Sequence, residues 1–464
     1  MPVAQSYRPD PKILELGDQF YDPVDAADFP RCTPRFVNRR AAATVGLADL
    51  AEEEWARHLC RFEPLPDNLQ RPLALRYHGH QFRMYNPDLG DGRGFLFAQL
   101  RDDRGRLLDL GTKGSGQTPW SRGADGRLTL KGGVREILAT EMLEALGVNT
   151  SKSFALFETG ENLTRGDEPS PTRSAVLTRL SHGHIRIGSF QRQAFHRNID
   201  NLNAFVRYSL KHLYGEAPSG DSAENALRLC ALVGAATAQL AASYMAAGFV
   251  HGVLNSDNIN VTGESFDYGP WRFTPDWEPG FTAAYFDHHG LYAFGSQPEA
   301  IHWDVAQFAS CLTLVAEVDA LTETLSGWGS RFEEALVAAL VKRLGIKSRG
   351  WDADRNLAMA LIAALESRAA TIDRVFFDWQ GGRDPGVDAY SAEPFRALAA
   401  QLAGREAQPR HDYWANAEPC SMHIDEVEAI WAAIAERDDW APLEAKVAAI
   451  RRMGTAMQDG SAPA

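Results

Sequence analysis

Ala223 to Ala247 is alanine-rich and apolar around most of a helical circumference, so it predicts a long helix buried on nearly every side. Such a helix needs a surrounding layer of other elements. A chain of 464 residues, 45% hydrophobic and 10% aromatic, is large enough to supply one and to divide into two parts. No continuous apolar run reaches the roughly 18 residues of a membrane span.

The stretches on either side of this helix read differently. Residues 1–75 mix proline-rich segments with one helix, expected from Leu47 to Leu59. Phe95 to Lys113 reads as a strand, a polar turn at Asp102 to Gly105, and a second strand. After a Gly/Ser/Pro-rich loop, Val134, Ile137, Leu138, Met142 and Leu146 recur at helical spacing, and Gly147 stands where that helix should end. Ser153 to Phe157 and Ala175 to Leu180 are further strands. Beyond the long helix the periodicity predicts helices at Asp304–Leu325, Phe332–Leu344, Asn356–Arg374, Phe395–Leu402, Ile424–Ala435 and Leu443–Arg451, with a frayed tail after Gly454.

A net charge of -14 opposes general affinity for nucleic acid or anionic membranes, both of which reward a basic face. Arg93 to Arg197 runs against that trend, with sixteen Lys/Arg and eleven Asp/Glu, an excess suited to a small polyanion. The N-terminus lacks a basic segment followed by an apolar one. Cys32, Cys60, Cys230, Cys311 and Cys420 are odd in number and far apart, which predicts free thiols in a reducing compartment, the cytoplasm.

Directly after the long helix comes His251 to Asn258 (HGVLNSDN), and then Asp267 to Gly269 (DYG). Asp257, Asn258 and Asp267 offer the hard oxygen donors that Mg²⁺ prefers. Taken singly, each run is as well read as a turn. Their order after a buried helix is the order in which protein kinases set out a catalytic base and two metal ligands. Upstream, Lys113 closes a strand and Glu136 lies in the first turns of the next helix, matching the kinase pair that holds phosphates; an exposed lysine and a dipole-favoured glutamate are the plainer alternative.

Leu89 to Gly94 (LGDGRG) holds three glycines, so backbone amides can approach phosphate oxygens unobstructed. Gly111 to Gly116 (GTKGSG) is not a P-loop, whose lysine directly follows the last glycine and precedes Ser or Thr. Arg179 and Arg186 flank His182 to Ile185; two guanidiniums suit a terminal phosphate, and surface ion pairing is the alternative. The pairs His78/His80, His182/His184 and His288/His289 lack a carboxylate or cysteine at metal-ligand spacing. No G-x-S-x-G follows a strand and opens a helix.

Together with Tyr77 to Phe82 (YHGHQF), Leu110 to Arg122 (LGTKGSGQTPWSR) and Val134 to Glu141 (VREILATE), these motifs resemble the selenoprotein O family from about Tyr77 to Phe308. Its members are pseudokinase-like protein adenylyltransferases that move AMP from ATP to protein hydroxyls. The resemblance implies an α+β, bilobal protein-kinase-like fold: an N-terminal extension over 1–75, a strand-rich N-lobe over 76–188 and a larger helical C-lobe over 189–464. It also implies a reversed nucleotide, with Lys113, Arg179 and Arg186 on the outer phosphates. Gly90, Gly92, Arg93, Asp125, Gly126 and Asp267 would line the nucleotide pocket. Asp257 would be the base, Asn258 and Asp267 the ligands of Mg²⁺ or Mn²⁺, and Glu136 the residue that orients Lys113.

The implied partners are proteins bearing Ser, Thr or Tyr hydroxyls, including the chain itself, acted on by a monomer without nucleic acid or membrane. Uridylyl transfer is open beside adenylyl transfer. An ordinary kinase-type phosphotransferase and a non-catalytic nucleotide-binding pseudokinase are the alternatives. Arg83 departs from the family's glycine, Lys131-Gly-Gly from its small polar residues, and Asp304 from its asparagine.

Overall fold

A computed structural model describes residues 5–166, 168–407 and 411–459. Its strands are β1 (Tyr21–Pro23), β2 (Thr33–Val37), β3 (Leu73–Leu75), β4 (Gly79–Gln81), β5 (Met84–Asn86), β6 (Leu96–Arg101), β7 (Leu107–Lys113), β8 (Leu128–Thr129), β9 (Lys152–Leu163), β10 (Thr172–Ser181), β11 (Phe249–Val250) and β12 (Arg272–Phe273). The main sheet is antiparallel, in the order β1-β3-β6-β7-β10-β9-β2, with β8 against β10; β4 and β5 form a separate hairpin. Residues 1–75 thus contribute β1 and β3 at one side of the sheet and β2 at the other edge, which their proline content concealed.

The helices begin with α1 (Arg39–Thr44), α2 (Glu52–Leu59), α3 (Leu130–Ala145), α4 (Ile187–Phe195), α5 (Ile199–Tyr208) and α6 (Ser222–Ala247). Thr129 starts α3 by accepting from Gly132 N at 3.1 Å, and Gly147 follows its end at φ +82°. Asp221 caps α6 through Ala223 N at 2.7 Å, and Gly248 closes it in the left-handed region. Length and mean hydropathy would let α6 cross a membrane, although polar residues interrupt every apolar run within it. Inside the protein, 67% of its most apolar window is buried.

The rest of the helical part is α7 (Gln297–Leu312), α8 (Val318–Ser326), α9 (Trp328–Arg343), α10 (Trp351–Glu366), α11 (Ile372–Asp378), α12 (Glu393–Leu402), α13 (Ile424–Arg437) and α14 (Ala441–Asp459). α6 packs on α7, α8 and α9. Two helices expected to be continuous are broken. Pro298 in the first turn starts α7 ahead of Asp304 and a new helix begins at Val318, while Thr371 caps α11 through Arg374 N at 3.3 Å. The tail after Gly454 is helical to Asp459, because α14 lies against α3 with Met453 and Ala456 buried.

The cysteines are not all free thiols. Cys32 and Cys60 form a disulfide across 28 positions, their Cα atoms 6.0 Å apart, because β2 and the end of α2 meet in space. Cys230, Cys311 and Cys420 are free. Trp55, Phe97, Phe154 and Phe157 form a core together with α1 and α2; a larger core joins α3 and α6 to the sheet.

Candidate active site

Strand register brings the cations together. Lys113 on β7 lies opposite Leu177 on β10, and Gly111 lies opposite Arg179. Directly paired residues share a face and side chains alternate, so Lys113 and Arg179 lie diagonally on the same face. Both are nearly fully buried, as is Arg186, which stands at the N-cap position of α4. Lys113 Nζ pairs with Glu136 Oε1 on α3 and donates to Tyr268 O at 3.1 Å.

Burial would raise the Asp267 carboxyl, but Arg179, Arg186 and Lys113 outweigh it and hold the group well below the usual carboxylate range. Arg179 Nη1 reaches Asp267 Oδ1 at 2.5 Å, and Arg186 Nη1 reaches Oδ2 at 2.6 Å. Arg186 also donates to Asp257 O at 2.9 Å and to Asp91 Oδ1 at 3.2 Å, while its guanidinium lies over the rings of Tyr77 and Phe266. Asp267 has φ +59°, a left-handed conformation that a non-glycine residue keeps only where its surroundings enforce it.

These groups line a cleft of about 450 Å³ together with Gly90, Gly92, Arg93, Trp120, Arg122, Asp257 and Asn258. A Cβ on Gly94 would stand 2.1 Å from Thr112 O, and one on Gly90 would strike Trp120. Both glycines therefore let the loop close against its neighbours. Asp257 is 8% exposed, and its Oδ1 has no hydrogen-bond partner among the described residues. Burial, reinforced by Asp267 and opposed by Arg186, pushes its carboxyl up to about 6. His251 supports the loop, its Nε2 lying 3.0 Å from Phe266 O.

Among the described residues no three His, Cys, Asp or Glu side chains converge as a ready-made metal cage. The donor chemistry nevertheless fits a hard cation completed by phosphate oxygens. Asn258 uses its Nδ2 on Val253 O at 3.0 Å, which leaves its Oδ1 available, and Asp267 presents a charged carboxylate in the same cleft.

Asp125 and Gly126 stand outside the cleft lining. Asp125 pairs with Arg165 at 2.8 Å, and Gly126 accepts from Gly116 N at 3.1 Å, so both shape the loop behind Ala124.

A family model described as protein adenylyltransferase SelO matches residues 4–451. The chain belongs to the SelO family. Its relatives include the protein nucleotidyltransferase YdiU of Synechocystis sp., 39% identical over 460 residues, covering 93% of this chain and 95% of that one. The YdiU protein of Gloeobacter violaceus is 41% identical, with 96% and 95% covered.

Within this SelO-family enzyme, several site residues carry no signal in the sequence. Asp91 fixes the glycine-rich loop through Arg186 and through Leu75 N at 3.0 Å, yet in LGDGRG it passes for a spacer. Tyr77, Trp120 and Arg122 likewise stand inside family motifs without an evident role. Nothing in spacing alone assigns them one, because their partners are more than fifty residues away or lie on a different turn.

Proposed function

We propose that this SelO-family enzyme adopts a two-lobed, kinase-like arrangement and transfers AMP from ATP to Ser, Thr or Tyr hydroxyls of proteins. The observation that carries the reading is one cleft lined by Lys113, Arg179 and Arg186 beside Asp267, with Asp257 in the same lining. In this reading the nucleotide lies with its outer phosphates on those three cations, and the α-phosphate faces the acceptor.

The acceptor hydroxyl gives its proton to the Asp257 carboxylate. Its oxygen bonds to the α-phosphorus, and the bond from that phosphorus to the bridging oxygen breaks. Lys113, Arg179 and Arg186 hold the departing pyrophosphate, placing fixed positive charge where negative charge develops. The unpartnered Asp257 Oδ1 provides the lone pair that a base needs. Asn258 and Asp267 would hold Mg²⁺ or Mn²⁺, which when bound neutralises phosphate charge. Glu136 keeps Lys113 turned into the cleft.

The test uses ATP labelled at either end of its triphosphate chain. Label from the α-phosphate should enter protein, including this chain, and label from the γ-phosphate should not. Transfer of γ label alone would make the enzyme a kinase. ATP-dependent thermal stabilisation with no modification would make it a nucleotide sensor. The same assay with UTP determines whether uridylyl transfer accompanies adenylyl transfer.

A further inference from the structure

The acceptor must reach Asp257 across a surface assembled from three separate elements. The hairpin of β4 and β5 closes over the loop that carries Asp257: a Cβ on Gly79 would stand 2.8 Å from Asp257 Oδ1. His80 N donates to Ser256 Oγ at 2.7 Å, and Phe82 N donates to Asn255 Oδ1 at 3.0 Å. Phe82 and Arg83 occupy the hairpin's two-residue turn at φ +50° and +62°. Glycine or asparagine ordinarily takes these positions. The hairpin is therefore rigidly seated, and its turn presents Phe82.

From the other side comes the segment between Asp267 and α7. Asp287 anchors it by accepting from Leu291 N at 2.9 Å and Tyr292 N at 2.8 Å, and Tyr292 OH donates to the same Asn255 Oδ1 at 2.8 Å. Despite that anchoring, Tyr285 is 81% exposed and Phe286 41% exposed. Their rings adjoin at 5.1 Å; Phe286 meets Phe82 at 5.8 Å, and Phe82 meets Tyr292 at 5.0 Å. Scattered exposed aromatics need no explanation, whereas contiguous rings at the mouth of a reaction cleft do.

The charged groups nearest the hairpin's turn are already paired or neutral. Arg83 is engaged by Glu299 at 3.2 Å and lies over Trp303. Asp304 is buried, its Oδ2 is without a hydrogen-bond partner among the described residues, and burial holds its carboxyl well above the usual carboxylate range, so it stands protonated and adds no charge beside the hairpin. With no free charge on the turn, a segment carrying an apolar side chain would cover the rings.

We infer that Phe82, Tyr285 and Phe286 form a ledge that receives an apolar side chain of the acceptor protein, next to the hydroxyl delivered to Asp257. The inference rests on the adenylyltransferase reading. It takes a segment of another protein as the occupant because the ledge is continuous, through Asn255 and Gln81, with the cleft where the hydroxyl must react.

The experiment compares the wild-type enzyme with Tyr285→Ser/Phe286→Ser, using α-labelled ATP and a positional library of peptides centred on Ser, Thr or Tyr. Wild type should select an aromatic or large aliphatic residue within a few positions of the hydroxyl. The double variant should lose that selection, with kcat/KM for the best peptide falling on the order of tenfold, the usual yield of one apolar pocket. KM for ATP and the melting temperature should stay unchanged, since both side chains are exposed. Tyr285→Leu/Phe286→Leu should recover much of the loss. Unchanged peptide selection in the double variant would overturn the ledge while leaving adenylyl transfer standing. So would loss confined to self-labelling that depends on enzyme concentration, which would make the occupant a second copy of this chain. No label from wild type on any peptide or protein would remove the adenylyltransferase reading, and the ledge with it.

Discussion

Asp257 carries the heaviest burden in the proposed chemistry, and its surroundings set its behaviour. Burial chiefly, with Asp267 adding to it, raises its carboxyl from 3.8 to about 6. A base must be ionised, so kcat/KM should rise with unit slope as pH increases through about 6 and then level. A pH profile flat down to 4.5 would exclude Asp257 from that role. Asp257→Asn should lower the rate by about 10²–10⁴, the range spanned by general bases. The same substitution has an opposite effect on folding. The carboxyl binds its proton more tightly in the folded state, so its contribution to stability is full below 3.8 and lost as pH rises through 6. Each tenfold change in proton affinity is worth about 1.4 kcal/mol, so at pH 8, without nucleotide, Asp257→Asn should be more stable by up to about 3 kcal/mol in urea unfolding. Asp91 shows where single residues stop being legible. Between two glycines it carries no pattern, and only the fold reveals that it holds the loop to Arg186.

Elements were more legible than residues, and for a physical reason. α6 and the β6–β7 hairpin announce themselves because each is written in one stretch of chain, α6 as a long segment apolar on most of its circumference, β6 and β7 as two apolar runs around a polar turn at Asp102 to Gly105. Residues 21–75 did not, because β1, β2 and β3 are too short for a period to show, and what defines them is pairing with distant strands. The disulfide was missed for the same reason: Cys32 and Cys60 become neighbours only when β2 joins the sheet edge beside α2. Its contribution follows from the length of chain it closes. A bridge across 28 positions restricts the unfolded chain enough to stabilise the fold by about 3.6 kcal/mol. Cys32→Ser/Cys60→Ser should unfold at correspondingly lower urea, and reductant should shift the wild type to match. KM for ATP should not change, because neither cysteine lines the cleft. A wild type indifferent to reductant would show the bridge does not form.

At the scale of the whole molecule, the last elements of the chain brace the helix that positions Lys113. α14 packs along α3, and Arg451 grips Glu141 through two bonds, Nε to Oε2 at 2.7 Å and Nη2 to Oε1 at 2.6 Å. Glu141 is 3% exposed and lies on the same helix as Glu136. From α13 and its end, Glu428 holds Lys131 at 2.7 Å and Asp438 holds Arg173 of β10 at 2.8 Å, so the C-terminal helices fasten both α3 and the sheet. Among the described residues, Arg451→Ala would leave Glu141 with Arg40 at 3.7 Å and Asn38 at 3.4 Å. A buried carboxylate deprived of its main partner costs about 3–5 kcal/mol when the pair is fully buried, and about 1–3 kcal/mol here, where Arg451 is 36% exposed and Arg40 and Asn38 remain. The variant should lose that much stability in urea. Its KM for ATP should also rise, because α3 no longer holds Glu136 firmly against Lys113. Adding Glu141→Gln removes the uncompensated charge and should return much of the stability. A single variant that is as stable as the wild type, with unchanged KM, would show that α3 holds its place without the C-terminal helix.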